Sequence, residues 1–511
     1  MIKNIKTNNM PRASGVLLHI TSLPSSYGIG TMGEEAKLFI RFLKNAGQTY
    51  WQILPLGTTG YGNSPYQNFS IHAGNPYLID FNLLVEDGLL QVDAPQNFSW
   101  GEDPSRVDYN LIYQNKKTVL YWAYETFLYH KPQELLAEKE EFFQKNKDWL
   151  VDYACFMLLK EKFQGKSWQA WDDEYRRYDV RKLEKFAENN KADLDYYYFE
   201  QYIFYRQWKS LRDYAEINQI KIIGDLPIYV AVDSVDVWAN PEFFQLDKNL
   251  QPSFVAGCPP DLFTPDGQLW GNPLYDWRKM AKDNYDWWVK RVEWSLKQYD
   301  FLRIDHFRGF AGYWSVPYGD KTARRGHWIK GPGKVLFDEL ENKLGKLPVI
   351  AEDLGLLTDD VHKLRRALGF PGMAVLQFAF DQKMNSNYLP HNLEKNCVVY
   401  TGTHDNSTMQ GWYNLIDEET RKLTREYLGI NSEEGYVKGF IRSIMTTVAD
   451  TCILTMQDLL ELDEFARMNI PGSIENNWEW RLKANEINCK LAQQLHYLTR
   501  ITGRLTNRGE D

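Results

Sequence analysis

Three acidic residues each end a short segment rich in apolar and β-branched residues: Asp305, Glu352 and Asp405. Cleavage of a glycosidic bond needs two carboxyl groups in different protonation states. One is ionised and attacks or stabilises the anomeric carbon, and the other donates a proton to the leaving oxygen. A single acid in such a position is often a helix cap or a solvated loop residue. Three of them in this order instead predict a site for glycosidic chemistry.

The residues around the first two acids fit these two roles. Arg303 lies two positions before Asp305, hence on the same side of a strand. We expect its guanidinium to keep Asp305 charged and ready to act as the nucleophile. Glu352 follows the apolar run Val349–Ala351, which is typical of a partly desolvated carboxyl group. Because desolvation disfavours the charged form, we expect the pKa of Glu352 to be raised, as an acid requires.

Two histidines adjoin the acids. His404 precedes Asp405, and His306 follows Asp305. A single histidine is more often a structural hydrogen-bonding residue than a catalyst, so neither is assigned to proton transfer. We predict that His404 contacts a sugar hydroxyl in the site, whereas His306 is left without a role.

These acids need a scaffold that brings the ends of separate segments together. Eight apolar, β-branched segments recur along the chain, and helical spacing of apolar residues separates most of them. The predicted strands cover residues 15–20, 50–55, 220–225, 301–305, 349–352, 373–378, 398–405 and 452–458. This alternation predicts an α/β fold with a parallel sheet that closes as a (β/α)8 TIM barrel. Barrel enzymes carry their chemistry at the C-terminal ends of the strands, where the three acids lie.

The spacing of the predicted strands is uneven, and the longest gap separates the second strand from the third. We interpret residues 1–511 as one barrel domain with a mainly helical insertion at about 80–195. Residues 196–217 follow it as one amphipathic barrel helix. A second insertion at about 238–277 carries Pro and Gly and is predicted to be an ordered, loop-rich region. The helical insertion is expected on the catalytic face of the barrel, and so is the loop-rich one.

Composition excludes several classes of function. The 511 residues carry a net charge of −9 and no dense stripe of Lys and Arg, so nucleic acid is a poor partner. The five cysteines are scattered without a CxxC pair, which argues against a zinc site and favours a reducing compartment. No run approaches the roughly 18 apolar residues needed to span a membrane. Without a secretory signal, the chain is expected in the cytoplasm, or in the plastid stroma if a transit segment has been removed.

Aromatic residues make up 15% of the chain and include 18 Trp and 31 Tyr. A large core accounts for this content as well as a sugar-binding cleft does. In a cleft, flat aromatic rings stack on the C–H faces of pyranose sugars. Composition alone leaves both interpretations open.

Several longer motifs surround the residues named above. They are residues 62–67 (GNSPYQ), 224–230 (GDLPIYV), 259–261 (PPD), 270–275 (WGNPLY), 303–309 (RIDHFRG), 351–355 (AEDLG) and 402–406 (GTHDN). As an ordered set they resemble the amylomaltases, or disproportionating enzymes, of the α-amylase clan, and the likeness extends from about residue 12 to residue 500. No compact β-sandwich domain follows the eighth predicted strand, again as in amylomaltases and unlike ordinary amylases. The third-strand motif also lacks the sugar-binding histidine that is usual in amylases.

The resemblance implies a role for each matching residue near the acids. Asp305 matches the nucleophile of the family, and Glu352 matches its general acid/base. Asp405 matches the third carboxylate, which holds hydroxyls of the distorted sugar. Arg303 and His404 match the residues that support these three.

Further matches imply substrate contacts beyond the three carboxylates. Asp225 matches the acid after the third strand, which either touches the sugar or only braces the neighbouring arginine. Tyr61 and the loop from Asp261 to Trp270 match segments that lie over the cleft and bind donor or acceptor glucan. Asn272, just beyond this loop, is assigned to substrate binding with them.

The resemblance therefore implies a 4-alpha-glucanotransferase that works by a retaining double displacement through a covalent glucosyl-enzyme. Its donors would be maltooligosaccharides and α-1,4-glucans, and its acceptor a glucose or a glucan. This scheme requires no metal ion and no organic cofactor. The enzymatic alternative is an α-1,4-glucan hydrolase on the same barrel. A noncatalytic glucan-binding protein is disfavoured, because all three carboxylates and Arg303 are present.

Overall fold

The computed structural model describes residues 10–260, 264–355, 357–380, 384–473 and 475–506, without the side chain of Tyr61. The strands in these ranges are β1 (Ala13–Leu17), β2 (Tyr50–Gln52), β3 (Lys221–Leu226), β4 (Phe254–Cys258), β5 (Gln268–Pro273), β6 (Phe301–Ile304), β7 (Gly312–Pro317), β8 (His327–Lys330), β9 (Val349–Ala351), β10 (Gly372–Val375), β11 (Cys397–Tyr400) and β12 (Thr451–Thr455). The helices are α1 (Glu34–Asn45), α2 (Phe81–Glu86), α3 (Tyr109–His130), α4 (Gln133–Lys162), α5 (Asp173–Arg176), α6 (Val180–Asn189), α7 (Lys191–Ile217), α8 (Val235–Ala239), α9 (Trp277–Lys282), α10 (Asp286–Gln298), α11 (Lys334–Leu344), α12 (Asp359–Leu368), α13 (Met409–Leu415), α14 (Glu418–Leu428), α15 (Tyr436–Met445), α16 (Met456–Leu459) and α17 (Cys489–Ile501).

Eight of the strands form one parallel sheet in the order β10-β11-β12-β1-β2-β3-β6-β9. The two ends of this sheet meet where the backbone N–H of Ala351 in β9 donates to the carbonyl of Pro371, just before β10 (2.9 Å). The sheet therefore closes, and the predicted (β/α)8 barrel is confirmed. These are the eight strands that the sequence predicts. Their apolar and β-branched residues are buried almost throughout, as a parallel sheet covered on both faces requires.

The register of the barrel strands sets the level at which the acids leave the sheet. Arg303 in β6 pairs with Asp225 in β3 on one side and with Ile350 in β9 on the other. Residues 305 and 352 therefore follow adjacent strands at the same height. Both lie at the C-terminal ends of their strands, where a barrel presents its functional side chains.

A second sheet is antiparallel and has the strand order β5-β4-β7-β8. Two of its strands, β4 and β5, lie within residues 238–277, where the sequence predicts an ordered, loop-rich insertion and no strand. The sequence conceals them because β4 pairs with β7, which comes after the barrel strand β6 in the chain. Gly257 in β4 and Gly271 in β5 also weaken the strand pattern, since glycine is unusual inside strands.

Helices α2 to α7 occupy most of the chain between β2 and β3, where the sequence predicts a mainly helical insertion. The last of them, α7, begins at Lys191 rather than at Tyr196, because Leu194 already packs into the core. The division of the chain into a barrel and two insertions stays a prediction. After β12 the described residues contain helices α16 and α17 and no further strand. No helix within the described ranges combines the length and the apolar character needed to cross a bilayer.

The N-terminal end of the barrel is closed by Arg504, whose side chain has no exposed surface (0%). Its guanidinium donates to the carbonyls of Met445 (2.8 Å), Ala13 (3.0 Å) and Ala449 (3.0 Å). Ala13 starts β1, and Ala449 lies just before β12. One side chain after α17 therefore supplies hydrogen-bond donors to the backbone that leads into two adjacent barrel strands.

We predict that Arg504→Ala lowers the apparent melting temperature of the protein. Each buried carbonyl that loses its donor costs about 1–3 kcal/mol. The matched control is Arg500→Ala, because Arg500 is exposed near the end of α17. This substitution should leave the melting temperature unchanged. Thermal unfolding followed by circular dichroism measures both variants. A melting temperature for Arg504→Ala equal to that of the wild type would contradict this role.

Candidate active site

The candidate site is built around the buried guanidinium of Arg303 in β6. Its Nη1 donates to both carboxylate oxygens of Asp225, at 2.9 and 2.7 Å. Its Nη2 lies 3.0 Å from Oδ1 of Asp305. Arg303 thus holds two carboxylates at once, and the doubly bonded one fixes the plane of the guanidinium. This plane in turn fixes the position of Asp305 at the end of β6.

Asp225 is hydrogen-bonded to two side chains, those of Arg303 and Tyr66. Its side chain has no exposed surface (0%), and its Oδ2 accepts a hydrogen bond from the hydroxyl of Tyr66 (2.8 Å). Its predicted contact with substrate stays a prediction. The alternative, that Asp225 braces Arg303, is what the hydrogen bonds favour.

Glu352 follows β9 and lies beside the turn after Asp305. The backbone N–H of His306 donates to its Oε2 (2.7 Å), and the N–H of Leu354 donates to its Oε1 (2.9 Å). The next N–H, that of Phe307, donates to the backbone carbonyl of Glu352 (3.1 Å). The two loops that carry the carboxyl groups are therefore joined directly. The side chain of Asp305 keeps 30% of its surface exposed.

Both carboxyl groups have raised pKa values. Burial raises the pKa of Asp305 to about 8, and Arg303 acts in the opposite direction. Burial also raises the pKa of Glu352, again opposed by Arg303 and by backbone N–H donors. The prediction for Glu352 is confirmed in direction. The prediction that Arg303 keeps Asp305 charged stays a prediction, since the ion pair at 3.0 Å favours the charged form and burial opposes it.

Asp405 follows β11 and is held by His404 together with Asn469 and Arg467, two residues that the sequence did not single out. The side-chain amide of Asn469 donates to its Oδ1 (2.7 Å), and Nε2 of His404 lies 3.3 Å from the same oxygen. Arg467 donates to the backbone carbonyl of Asp405 (2.6 Å) and to that of Asn469 (2.8 Å). The side chain of Asp405 keeps 44% of its surface exposed. Its Oδ2 carries none of these hydrogen bonds.

The imidazole of His404 packs against two aromatic rings that also contact each other. Tyr66 stacks on it with ring centroids 5.1 Å apart and an interplanar angle of 24°, and Trp478 lies at 5.7 Å. Burial lowers the pKa of His404, and Asp405 acts against this. Tyr66 is within a motif that the sequence identified, although the residue itself was not assigned. Trp478 and Asn469 lie beyond the last barrel strand, where no motif marks them.

The second sheet reaches the site through Trp270 in β5. The ring of Trp270 meets the imidazole of His306 edge to face, with centroids 4.7 Å apart and an angle of 88°. Asn272 is buried in the same strand, where its amide donates to the carbonyl of Val230 (2.8 Å) and its oxygen accepts from Gln67 (3.2 Å). The predicted contact of Asn272 with substrate stays a prediction. Its bonds attach the loop of Gln67 to β5.

Comparison with known proteins shows the family to which this chain belongs. Residues 18–487 match the family model described as 4-alpha-glucanotransferase, glycoside hydrolase family 77. The chain belongs to this family. It is 50% identical to the 4-alpha-glucanotransferase of Clostridium butyricum, over 95% of this chain and 100% of that protein. It is 42% identical to the chloroplastic/amyloplastic 4-alpha-glucanotransferase of Solanum tuberosum, over 93% of this chain and 83% of that protein.

A solved structure agrees with the sequence comparisons. The amylomaltase from Streptococcus agalactiae in complex with acarbose superposes with a TM-score of 0.94. The two chains are 43% identical, and the match covers 96% of this chain and 99% of that one. The amylomaltase resemblance, the barrel fold and the assignment to a 4-alpha-glucanotransferase enzyme family are thereby confirmed.

Two residues predicted to bind substrate lie wholly or partly outside the part of the chain that the structure describes. Asp261 is not among the described residues, and only the backbone of Tyr61 is described, in a short 3-10 turn at Tyr61–Asn63. Their predicted roles stay predictions. Within the described residues, no three His, Cys, Asp or Glu side chains form a group that could hold a metal ion.

We predict that Asp225→Ala destabilises the protein by about 3–5 kcal/mol, because it leaves the buried charge of Arg303 with only one carboxylate. The matched control is Asp213→Ala, since Asp213 pairs with Lys209 on the exposed surface of α7. That substitution should change stability by less than about 1 kcal/mol. Urea unfolding followed by tryptophan fluorescence compares the two. Equal midpoints would contradict the bracing role of Asp225.

Proposed function

We propose that the protein transfers a segment of an α-1,4-glucan to the 4-hydroxyl of an acceptor glucose or glucan. The observation that carries the proposal is the placement of the two carboxyl groups. Asp305 and Glu352 follow adjacent barrel strands at one level, and Glu352 accepts a hydrogen bond from the residue after Asp305. A retaining enzyme needs such a pair close to one glycosidic bond.

In the first step, a carboxylate oxygen of Asp305 attacks the anomeric carbon. The bond from that carbon to the glycosidic oxygen breaks, and the proton of Glu352 moves to the leaving oxygen. The reducing-end piece departs with that proton. Asp305 is then covalently bound to the remaining glucan, and Glu352 is ionised.

In the second step, Glu352 takes the proton of the acceptor's 4-hydroxyl. The acceptor oxygen attacks the anomeric carbon and displaces Asp305, which regains its negative charge. The new bond has the same configuration as the one that was broken, because the anomeric carbon is inverted twice. The proton has returned to Glu352, so the site is ready for another cycle.

The raised pKa values suit this exchange. Because the two carboxyl groups share one site, they titrate as a pair, and the pair keeps one proton at neutral pH. The direct ion pair of Asp305 with Arg303, at 3.0 Å, favours the state in which Asp305 is ionised and Glu352 carries the proton. That is the state from which the first step starts.

Asp405 and His404 are assigned to binding of sugar hydroxyls. The exposed carboxylate of Asp405 has one oxygen bonded to Asn469, and we propose that its other oxygen accepts from a hydroxyl of the distorted sugar. Tyr61, Asp261 and Trp270 are proposed to contact the donor or acceptor glucan. Maltooligosaccharides and α-1,4-glucans are the proposed donors, and acarbose is bound in the related amylomaltase of Streptococcus agalactiae. A cytoplasmic location, or the plastid stroma after removal of a transit segment, is likewise a proposal.

The first experiment is incubation of the purified protein with maltotriose alone, with products followed by chromatography. Transfer predicts a ladder of longer maltooligosaccharides together with glucose, and little gain of reducing ends. Glucose and maltose without longer products would mean that the protein is a hydrolase. In that case the roles of the carboxyl groups would stand and the transfer step would be wrong.

Substitution of either carboxyl group is expected to abolish most of this activity. Glu352→Gln should lower the rate by about 10²–10⁴-fold, the usual contribution of a general acid. Asp305→Asn should lower it at least as much, because no covalent intermediate forms. Asp359→Asn, on the exposed first turn of α12, serves as the control with a wild-type rate. Circular dichroism verifies folding, and a near-normal rate in either site variant would overturn the assignment.

The dependence of kcat/KM on pH is expected to be bell-shaped. Burial raises the pKa values of the pair, so its last proton is kept up to higher pH than an isolated carboxyl would keep it. Activity should therefore persist to higher pH than the ordinary pKa of a carboxyl group would allow, and fall where that proton is lost. At low pH both groups are protonated and the nucleophile is lost. A loss of activity already near the ordinary carboxyl value of 4.5 would contradict the proton-sharing pair.

A further inference from the structure

His306 has a backbone conformation that is unfavourable for its residue type. Its φ of 50° and ψ of 47° place it in the left-handed region, at the start of the 3-10 turn Phe307–Phe310. This conformation costs a residue other than glycine about 1–2 kcal/mol. Interactions nearby must therefore offset this energy.

The left-handed turn directs two consecutive backbone N–H groups at one residue. The N–H of His306 donates to Oε2 of Glu352 at 2.7 Å, and the N–H of Phe307 donates to its backbone carbonyl at 3.1 Å. In this position the side chain of Glu352 is fixed from the β6 side of the cleft. Leu354 fixes the other carboxylate oxygen from the β9 side, at 2.9 Å.

The ring of His306 is anchored by a residue from outside the barrel. Trp270 in β5 meets it edge to face at 4.7 Å, and Tyr229 lies at 6.5 Å. Gly309 makes room for this packing, because a Cβ there would lie 3.2 Å from Cδ2 of His306 and 2.7 Å from Cδ1 of Ile228. The ring packing thus fixes the backbone turn from one side.

The imidazole contributes by packing, not by its charge. Burial and the nearby Arg308 lower the pKa of His306 to about 3, so it is neutral at working pH. Its Nε2 is buried and has no hydrogen-bond partner among the described residues.

We propose that His306 is a positioning residue for Glu352. The packing of the His306 ring on Trp270 aims the backbone N–H of His306 at the acid/base carboxyl group of Glu352. This inference rests on the proposed role of Glu352. A hydrogen bond to the carboxylate favours its ionised form, and thus opposes the effect of burial. The antiparallel sheet therefore influences the protonation of Glu352 through Trp270 and His306.

Other groups around Glu352 also contribute to its titration and stay the same in the variants below. They are Arg303, Asp305, Arg308, Asp353, Tyr388 and Asp405. Differences between variants at position 306 then report on the backbone hydrogen bond and not on these charges.

The test compares His306→Ala with His306→Gly. Both remove the ring, but only glycine adopts the left-handed conformation at little energetic cost. In His306→Ala the backbone at residue 306 should leave the left-handed conformation and lose its hydrogen bond to Glu352. The alkaline limb of kcat/KM should then shift upward by about one pH unit. Its kcat should fall more than its KM changes. His306→Gly should keep the alkaline limb of the wild type.

An equal alkaline limb in His306→Ala and the wild type would overturn the proposal, and so would equal shifts in both variants. Trp270→Ala should shift the limb in the same direction as His306→Ala, whereas Trp270→Phe, which keeps an aromatic ring, should shift it less. A loss of packing that only destabilises the fold would lower the melting temperature without moving the limb.

A measurement that does not depend on turnover separates this inference from the proposed function. Infrared difference spectra between each protein and its Glu352→Gln counterpart follow the carboxyl band of Glu352 against pH. The proposal expects a higher pKa in His306→Ala than in the wild type and in His306→Gly. Absence of longer products from maltotriose would refute transfer alone, while identical titrations in all three proteins would refute the role of His306.

Discussion

Arg303 is a charged side chain with almost no exposed surface, and the arrangement of the site depends on how that charge is balanced. Removing a guanidinium from water costs several kcal/mol unless carboxylates with good geometry surround it. Asp225 and Asp305 supply this geometry from β3 and β6. A shift of one residue between these strands would separate the charges, so the ion pairs fix the strand register. Tyr66 then docks on Asp225 and brings its ring onto His404.

The barrel and the segments outside it make different contributions to the site. Strand register places Asp305 and Glu352 at one level, which any closed parallel barrel with these strands would do. Segments outside the barrel hold other parts of the site. Asn469, which lies beyond β12, bonds to Asp405, and Trp270 of the antiparallel sheet packs on His306. Strand register and Arg303 therefore place Asp305 and Glu352, while segments packed around the rim hold Asp405 and the ring of His306.

This division explains what could be predicted from the sequence. The strands and the three acids follow from local patterns, because apolar runs and the two-residue period of a strand are visible in the chain. The contact of Asn469 with Asp405 joins residues from separate loops and has no local signal. The antiparallel sheet was missed for the same reason. The pairing of Arg303 with Asp305 follows from the sequence, whereas the burial that opposes its effect on the pKa of Asp305 exists only in the folded protein.

The same division bears on why such a site would transfer a glucan and not hydrolyse it. A hydrolase and a transferase use identical carboxyl chemistry, and they differ in how long water is kept from the covalent intermediate. Barrel strands cannot make that difference, since they are shared by both kinds of enzyme. It must lie in segments that cover the cleft, a position that the resemblance predicts for Tyr61 and for the loop from Asp261 to Trp270. Because Trp270 also contacts His306, this predicted segment is in physical contact with the residue that donates an N–H to Glu352. Exclusion of water and activation of the acceptor can thus depend on the same packing.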